Sequence, residues 1–469
     1  MSREKMNVTE RIARFAVTAR TAAMPRGVRE TAKEHLLDGI ATILGGASEE
    51  ASRQIRRYAA GLGGKAEAGI LGARLQAPAR YAALANGVQG HVLDYDDAQL
   101  ATSKNAAFGQ LTHPTTPVLA AVLALAEKHS SSGSDLLAAY IVGVEVACRL
   151  ADAIDPRHYL DGFHPTGTIG VFGAAAASSR LLELDVLHTE QALGIAATLS
   201  AGIRAHRGTM AKSLNAGRAA ENGVVAAELA RAGFTAARGV FEAPMGYFSA
   251  AARNNVNRRR LGLGRPFFFA APGIAIKRYP SAGVLHPALD LIIELVTRRR
   301  IAAGAVKSVR VAMGPVAAAP LVYDRPATAL EAKFSLPFSA AVAVLERRAG
   351  LEQYTDEKVR DPAIADMMRK VEFSRNAALE KNGRDHPRAN IQIRLRDGTS
   401  HGGETTLPKG HPLNPLSRRE LEEKMRECAG RCLEPRAIQR MIDRVWSIES
   451  VPSVPRMMAG FRKAFAAKE

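Results

Sequence analysis

The segment from Asp135 to Ile154, DLLAAYIVGVEVACRLADAI, limits the fold more than any other. Only Asp135, Glu145, Arg149 and Asp152 interrupt an apolar surface that runs nearly all round a helix. Such a helix offers water no face, so it belongs in the middle of a bundle, and Ser134 is placed to cap it. Neighbouring segments supply partners. Thr9 can cap a first helix, and Pro25 can open a second carrying Ala32, Leu36, Leu37, Ile40 and Leu44 before Gly45 and Gly46 stop it. Ala79 to Val92 reads as another, and Pro117 opens one through Glu127. Gly167, Gly170 and Gly173 recur every third residue, but no strand precedes them and the spacing is neither a dinucleotide nor a Walker fingerprint. They read as small residues that let helix backbones approach.

From about residue 271 the pattern changes. KSVRVAM alternates like a strand, with Val306, Val309 and Val311 as its apolar positions. EAKFSLPFSAAVAVLE is a helix that Pro337 bends or divides, and Asp397-Gly398 is the turn of a hairpin in ANIQIRLRDGTSHGGETTL. From Leu416 to Ala467 the chain is helical again. At 469 residues one core is too few. The expected fold is mainly α with an inserted α/β domain: a helical body over 1–270 completed by 405–469, and an α/β lid over 271–404.

Polar clusters break this apolar sequence at a few places. Asn86 to Pro117 packs His91, Asp94, Asp96, Asp97 and His113 between helical runs, where carboxylates and imidazoles are costly unless paired or used. His164 precedes Pro165 at a helix entrance, a place that favours anions. Arg204, His206, Arg207 and Lys212 precede a small-residue helix; cations at its positive end are unfavourable unless an anion binds among them. Lys277, Tyr279 and His286 surround a Pro turn.

Lys plus Arg exceed Asp plus Glu by 64 − 46, giving a net charge of +18. The basic residues are scattered and aromatics make up 5%, so no stacking platform for nucleic acid emerges, and attraction of small anions fits the charge equally well. Cys148, Cys428 and Cys432 form neither a disulfide framework nor a metal spacing. The N-terminal MSREKMNVTERIARF lacks a signal-peptide core, and no membrane span is expected, which together suggest a cytoplasmic protein.

HVLDYDD followed by THP, then GFHPTG, GTMAKSLNAGRAAENG, KRYPSAGVLHP and YDRPATALEAKFS, resembles the MmgE/PrpD family of 2-methylcitrate dehydratases, cis-aconitate decarboxylases and iminodisuccinate epimerases. The resemblance covers roughly residues 10 to 450. It implies a helical domain with an α/β lid, a homodimer, no metal or organic cofactor, and a small di- or tricarboxylate substrate. Matched motif by motif, it carries Asp94, His113, His164, Lys212, Lys277 and Tyr323 into the active site. Where the decarboxylase has a Thr after its acidic run this chain has Ala98, and the stretch to His113 is longer.

The residue types fit that substrate class. Lys212, Lys277 and Arg204 or Arg207 would hold carboxylates and stabilise the enediolate-like anion left by α-proton abstraction. His113 and His164 would form the proton-transfer pair, with Asp94 orienting and charging one imidazole and Tyr323 completing the catalytic set. His286 and Arg218 are secondary binding candidates. His91, a turn before Asp94, reads as structural, and Asp96 and Asp97 either cap the following segment or bind a backbone, their roles being left open. The reaction expected is a dehydration of the 2-methylcitrate type; decarboxylation, epimerisation and non-catalytic binding of anions or nucleic acid are the alternatives.

Overall fold

The computed structural model describes residues 7–99, 111–380, 388–405 and 407–465. Residues 100–110, inside the first polar cluster, and the end of the last helical segment beyond 465 lie outside this set. We number only the elements that bear on the site. The body contains α1 (Arg26–Gly46), α2 (Ala79–Val92), α3 (Thr115–Lys128), α4 (Gly133–Ala153), α5 (Gly170–Leu181) and α6 (Ala211–Arg231). Every residue of α4 from Leu136 to Ala153 is buried, as its all-round apolar surface requires.

The small residues do what their spacing suggested. A Cβ on Gly173 would lie 2.6 Å from the Gly143 carbonyl oxygen, so α4 and α5 touch backbone to backbone. Gly87 and Gly217 do the same for α2 and α6, where a Cβ on Gly87 would come within 2.7 Å of the Gly217 Cα. These faces are used inside the body.

Helix starts differ from the sequence reading where a tertiary contact provides the cap. Asn7, not Thr9, accepts from the Glu10 N–H of the first helix. Thr9 Oγ1 instead accepts from Phe241 N–H and donates to Glu242. Ser132, not Ser134, caps α4. Helix α3 begins at Thr115 rather than Pro117, because the Asp97 carboxylate accepts the Thr115 N–H. The helix Glu50–Gly61 escaped the pattern because it buries only Ala51, Ser52 and Ala59.

The second unit holds α7 (His286–Arg298), β1 (Val306–Met313), α8 (Leu336–Glu346), β2 (Val371–Arg375), β3 (Ala389–Leu395) and β4 (Ser400–Thr405). The strands form one mixed sheet in the order β2-β1-β3-β4. Strands β1 and β2 run parallel with Val309 opposite Val371, and β3 and β4 form the expected hairpin with Gly398 at φ 90°. Pro337 lies in the first turn of α8, where Ser335 caps it; the helix is divided here, a short turn Ala329–Ala332 preceding it.

Two buried apolar clusters follow. One runs from Val8 to Ile276 and takes in residues Leu416 to Phe465; the other runs from Tyr279 to Ile393. Helices α9 (Arg418–Ala429) and α10 (Pro435–Trp446) therefore pack on the body, placing Met425, Cys428, Ile438 and Met441 in its core. Among the described residues no helix is long and apolar enough to cross a membrane.

Candidate active site

Helices α2 and α6 cross antiparallel at Gly87 and Gly217, which brings the C-terminus of one against the N-terminus of the other. His91 ends the apolar run of α2, and Asp94 follows in the left-handed conformation at φ 51°. That conformation is unusual for a residue with a Cβ and is tolerated best by Asn and Asp. It turns the chain so that Asp94 faces Lys212, in the first turn of α6. Lys212 Nζ donates to Asp94 Oδ1 at 2.7 Å and lies 2.9 Å from His91 Nε2. From the other side Lys277 Nζ donates to Asp94 Oδ2 at 2.9 Å and to the Asp94 carbonyl at 2.8 Å. One buried carboxylate is thus clasped by two ammonium groups.

Burial alone would raise the Asp94 carboxyl, but the two ammonium groups outweigh it and hold the group well below the ordinary carboxylate range. The anion expected among the cations ahead of α6 is, in this form, the chain's own Asp94. Asp94 does not orient an imidazole. That part belongs to Asp96.

Asp96 is fully buried and serves three partners. His91 Nδ1 lies 2.9 Å from Asp96 Oδ2, Thr116 Oγ1 donates to Oδ2 at 2.7 Å, and His113 Nδ1 is 3.4 Å from Oδ1. Burial pushes the Asp96 carboxyl up, but the two imidazoles prevail and keep it well below its usual range. A carboxylate hydrogen-bonded to Nδ1 holds the proton on that nitrogen and leaves Nε2 as the basic atom; Asp96 does this for His91, whereas its 3.4 Å contact with His113 Nδ1 is not a hydrogen bond. For His91 that assignment is supported independently, since Nε2 accepts from Lys212. Burial lowers His91 to about 4, so it is neutral near pH 7.

His164 closes the group. Its ring centroid is 5.5 Å from that of His91, which is 4.7 Å from that of His113. Asn215 Nδ2 donates to His164 Nδ1 at 3.0 Å, so the neutral ring carries its proton on Nε2. Burial, aided by Lys212, drives its pKa well below the usual value.

One cavity of about 180 Å³ has Asp94, His113, His164, Arg204, Arg207, Lys212, Lys277 and His286 in its wall. The two arginines line the same cavity as the lysines. Arg204 stacks on the Tyr159 ring at 3.4 Å, and Arg207 donates to the Tyr159 hydroxyl at 3.0 Å. His286 is buried and lowered to about 3, by burial and then by Lys277. Ala98 presents a methyl group to the same cavity, its backbone N–H and C=O both paired with Ala275.

Two candidates stand apart. Tyr323 is not in the cavity wall: its hydroxyl donates to the Arg207 carbonyl at 2.9 Å and packs over Gly208. Its proton is committed to the backbone, so it is no proton donor in this form. Arg218 pairs with Glu221, a turn further along α6 and away from the cavity.

His91, Asp94 and His113 offer ligand atoms within 4.8 Å of one another. They do not suit a cation as arranged: both Asp94 oxygens already face ammonium groups, and His91 uses both ring nitrogens.

Asp97, one residue beyond Asp96, points the other way and takes His35 Nδ1 at 2.8 Å and the Thr115 hydroxyl at 2.5 Å. Asp97 therefore also anchors the first residue of α3. Sequence reasoning undervalued His91 and Asp96; the signal was their five-residue separation across a helix end, which brings both side chains back toward the same interior.

A family model for the MmgE/PrpD N-terminal domain matches residues 10–259, and one for the MmgE/PrpD C-terminal domain matches residues 279–448. The chain belongs to the MmgE/PrpD family. Its curated relatives include the cis-aconitate decarboxylase of Homo sapiens, 28% identical over 391 residues that cover 80% of this chain and 78% of that protein. The cis-aconitate decarboxylase of Aspergillus terreus is 26% identical over 478 residues, 97% of this chain and 96% of its own length. These MmgE/PrpD relatives bear the name of the decarboxylation alternative rather than of the dehydration expected first.

Proposed function

We propose that this cavity is the active site of a lyase acting on a small di- or tricarboxylate, and that its reaction is decarboxylation of a cis-aconitate-like acid. The observation that carries the reading is one cavity wall that holds two ammonium groups, both on the buried Asp94 carboxylate, together with the imidazoles of His113 and His164. Lys212 and Lys277 would exchange part of their hold on Asp94 for a substrate carboxylate, and Arg204 and Arg207 would take a second.

In the unsaturated acid, the bond from the departing carboxyl carbon to its methylene breaks, and that electron pair becomes a new double bond. The former double-bond pair then takes a proton at the far carbon, and carbon dioxide leaves. Charge builds on the carboxylate beside that carbon, where ammonium groups stabilise it. His113, after taking up a proton from solvent, delivers it to that carbon and is left neutral; His164, protonated on Nε2, donates a hydrogen bond to the developing anion. Names of relatives at 26–28% identity support decarboxylation over dehydration.

One observation favours the dehydration reading. Ala98 puts a methyl in the wall where the decarboxylase pattern has a hydroxyl. Proton NMR of the purified protein in heavy water separates the readings. With cis-aconitate we expect carbon dioxide release and an exo-methylene diacid carrying one deuteron. Turnover of 2-methylcitrate without carbon dioxide would establish the dehydratase instead, and α-proton exchange without net reaction an epimerase. Absence of both turnover and carboxylate binding would overturn the proposal.

A further inference from the structure

The clasp around Asp94 depends on two pieces of chain that meet only in the fold: the turn at residues 94–97 and the segment entering the second unit at Lys277. Both are held by one side chain of the returning helix α9. Lys424 is buried, and its ammonium donates to the Tyr95 carbonyl at 2.9 Å and to the Lys277 carbonyl at 2.8 Å. It also lies 2.5 Å from Asp38 Oδ1 of α1 and 3.8 Å from the centre of the Tyr95 ring. The aligned hydrogen bonds go to the two carbonyls, and the contact with Asp38 is chiefly electrostatic.

The two carbonyls are not arbitrary. Tyr95 stands between Asp94 and Asp96, so its carbonyl sets the peptide plane from which Asp96 reaches His91 and His113. Lys277 donates through its side chain to Asp94 while its own carbonyl accepts from Lys424. Lys424 therefore closes the back of a ring whose front is the Asp94–Lys277 ion pair. Glu427, one turn along α9, reinforces it: the Tyr95 hydroxyl donates to Glu427 Oε2 at 3.3 Å and to the Arg278 carbonyl at 3.0 Å.

We propose that Lys424 is a positioning residue, which fixes the separation between the Asp94 turn and Lys277 and so holds the ion-pair clasp in register for the reaction. It lines no part of the cavity and touches no reacting atom. A point-like ammonium with three donors suits two carbonyls and a carboxylate arriving from different directions; a planar guanidinium suits them less. The inference rests on the proposed reading of the cavity for its kinetic consequence, but its geometric content stands apart from any substrate.

The test is Lys424→Met, which keeps the length of the stem and removes the charge and donors, compared with Lys424→Arg. Amide hydrogen exchange followed by mass spectrometry needs no substrate. In Lys424→Met, peptides covering 93–99 and 275–281 should exchange about tenfold faster or more, while peptides of α4 stay as in the wild type. If the wild type decarboxylates cis-aconitate, kcat of Lys424→Met should fall by about thirtyfold to a hundredfold with KM changed by less than about threefold, as misplacement near 1 Å implies. Lys424→Arg should recover part of kcat and part of the protection. Should Lys424→Met fail to fold, the Arg variant decides by the same exchange measurement. Unchanged exchange in both segments would overturn the inference, as would full wild-type kcat in a folded Lys424→Met. A wild type inert toward every carboxylate would instead sink the functional reading, leaving the exchange result to judge Lys424.

Discussion

Lys212→Ala puts the clasp to the sharpest trial. From the sequence, Lys212 is an uncompensated cation at the mouth of a helix, and its removal should leave the empty protein unharmed or slightly more stable. The structure reverses the sign. Lys212, only 13% exposed at its side chain, is one of two cations on a carboxylate that is 5% exposed, and it also donates toward His91. Breaking a buried pair outright costs about 3–5 kcal/mol, but here Lys277 stays on Asp94. The loss is closer to that of one charged hydrogen bond with its packing, about 2–3 kcal/mol.

For an unfolding unit of this length that is a fall in Tm of about 2–3 °C, and urea titration gives the same quantity through the midpoint. The pH dependence provides a second check. Asp94 has its folded pKa depressed, so its contribution is present above the ordinary carboxylate range and is lost as pH falls through the folded value. The gap between wild type and Lys212→Ala should therefore be full at pH 7 and narrow below about pH 4. Carboxylate binding at pH 7 should weaken by about tenfold or more. Equal stabilities at pH 7, or a gap undiminished in acid, would refute the clasp as described.

Asp96→Asn should lower kcat by about 10²–10⁴, because the carboxylate that anchors the His91 proton and faces His113 is gone, and steady-state kinetics from pH 6 to 9 should show no rescue at high pH. The Asp96 carboxyl is already ionised throughout that range. Tyr323→Phe removes one hydrogen bond to the Arg207 carbonyl and should cost about 0.5–1.5 kcal/mol in denaturant titration, with kcat within about threefold of wild type. A hundredfold fall would return the phenol to the catalytic set. Ala98→Thr adds a hydroxyl to the cavity wall and should lower KM for a tricarboxylate by about two- to tenfold; an unchanged KM would mean that this wall does not meet the substrate.

Much of the architecture was legible in the chain because it rests on local or periodic signals. The all-round apolar surface of Leu136 to Ala153 required a central helix, alternation marked β1, and Asp397-Gly398 marked the hairpin, whatever packed against them. The residue types of the site were legible too. Asp94, His113, His164, Lys212 and Lys277 do reach one cavity, though they are spread over almost 200 positions.

Who pairs with whom was not. Asp94 and Asp96 are two residues apart in one acidic run, and no sequence pattern says which faces lysines and which faces histidines. That is set by the left-handed backbone at Asp94, which sends the two carboxylates to different partners. The meeting of His91 with Lys212 requires the bare backbones of Gly87 and Gly217 in contact, and a lone glycine does not name its opposite number. Lys424 lies in α9, 147 positions from the Lys277 carbonyl that it binds. Periodicity reports which face of an element leaves water; hydrogen bonds between elements depend on angles and distances of a few tenths of an ångström, which only the packed chain decides.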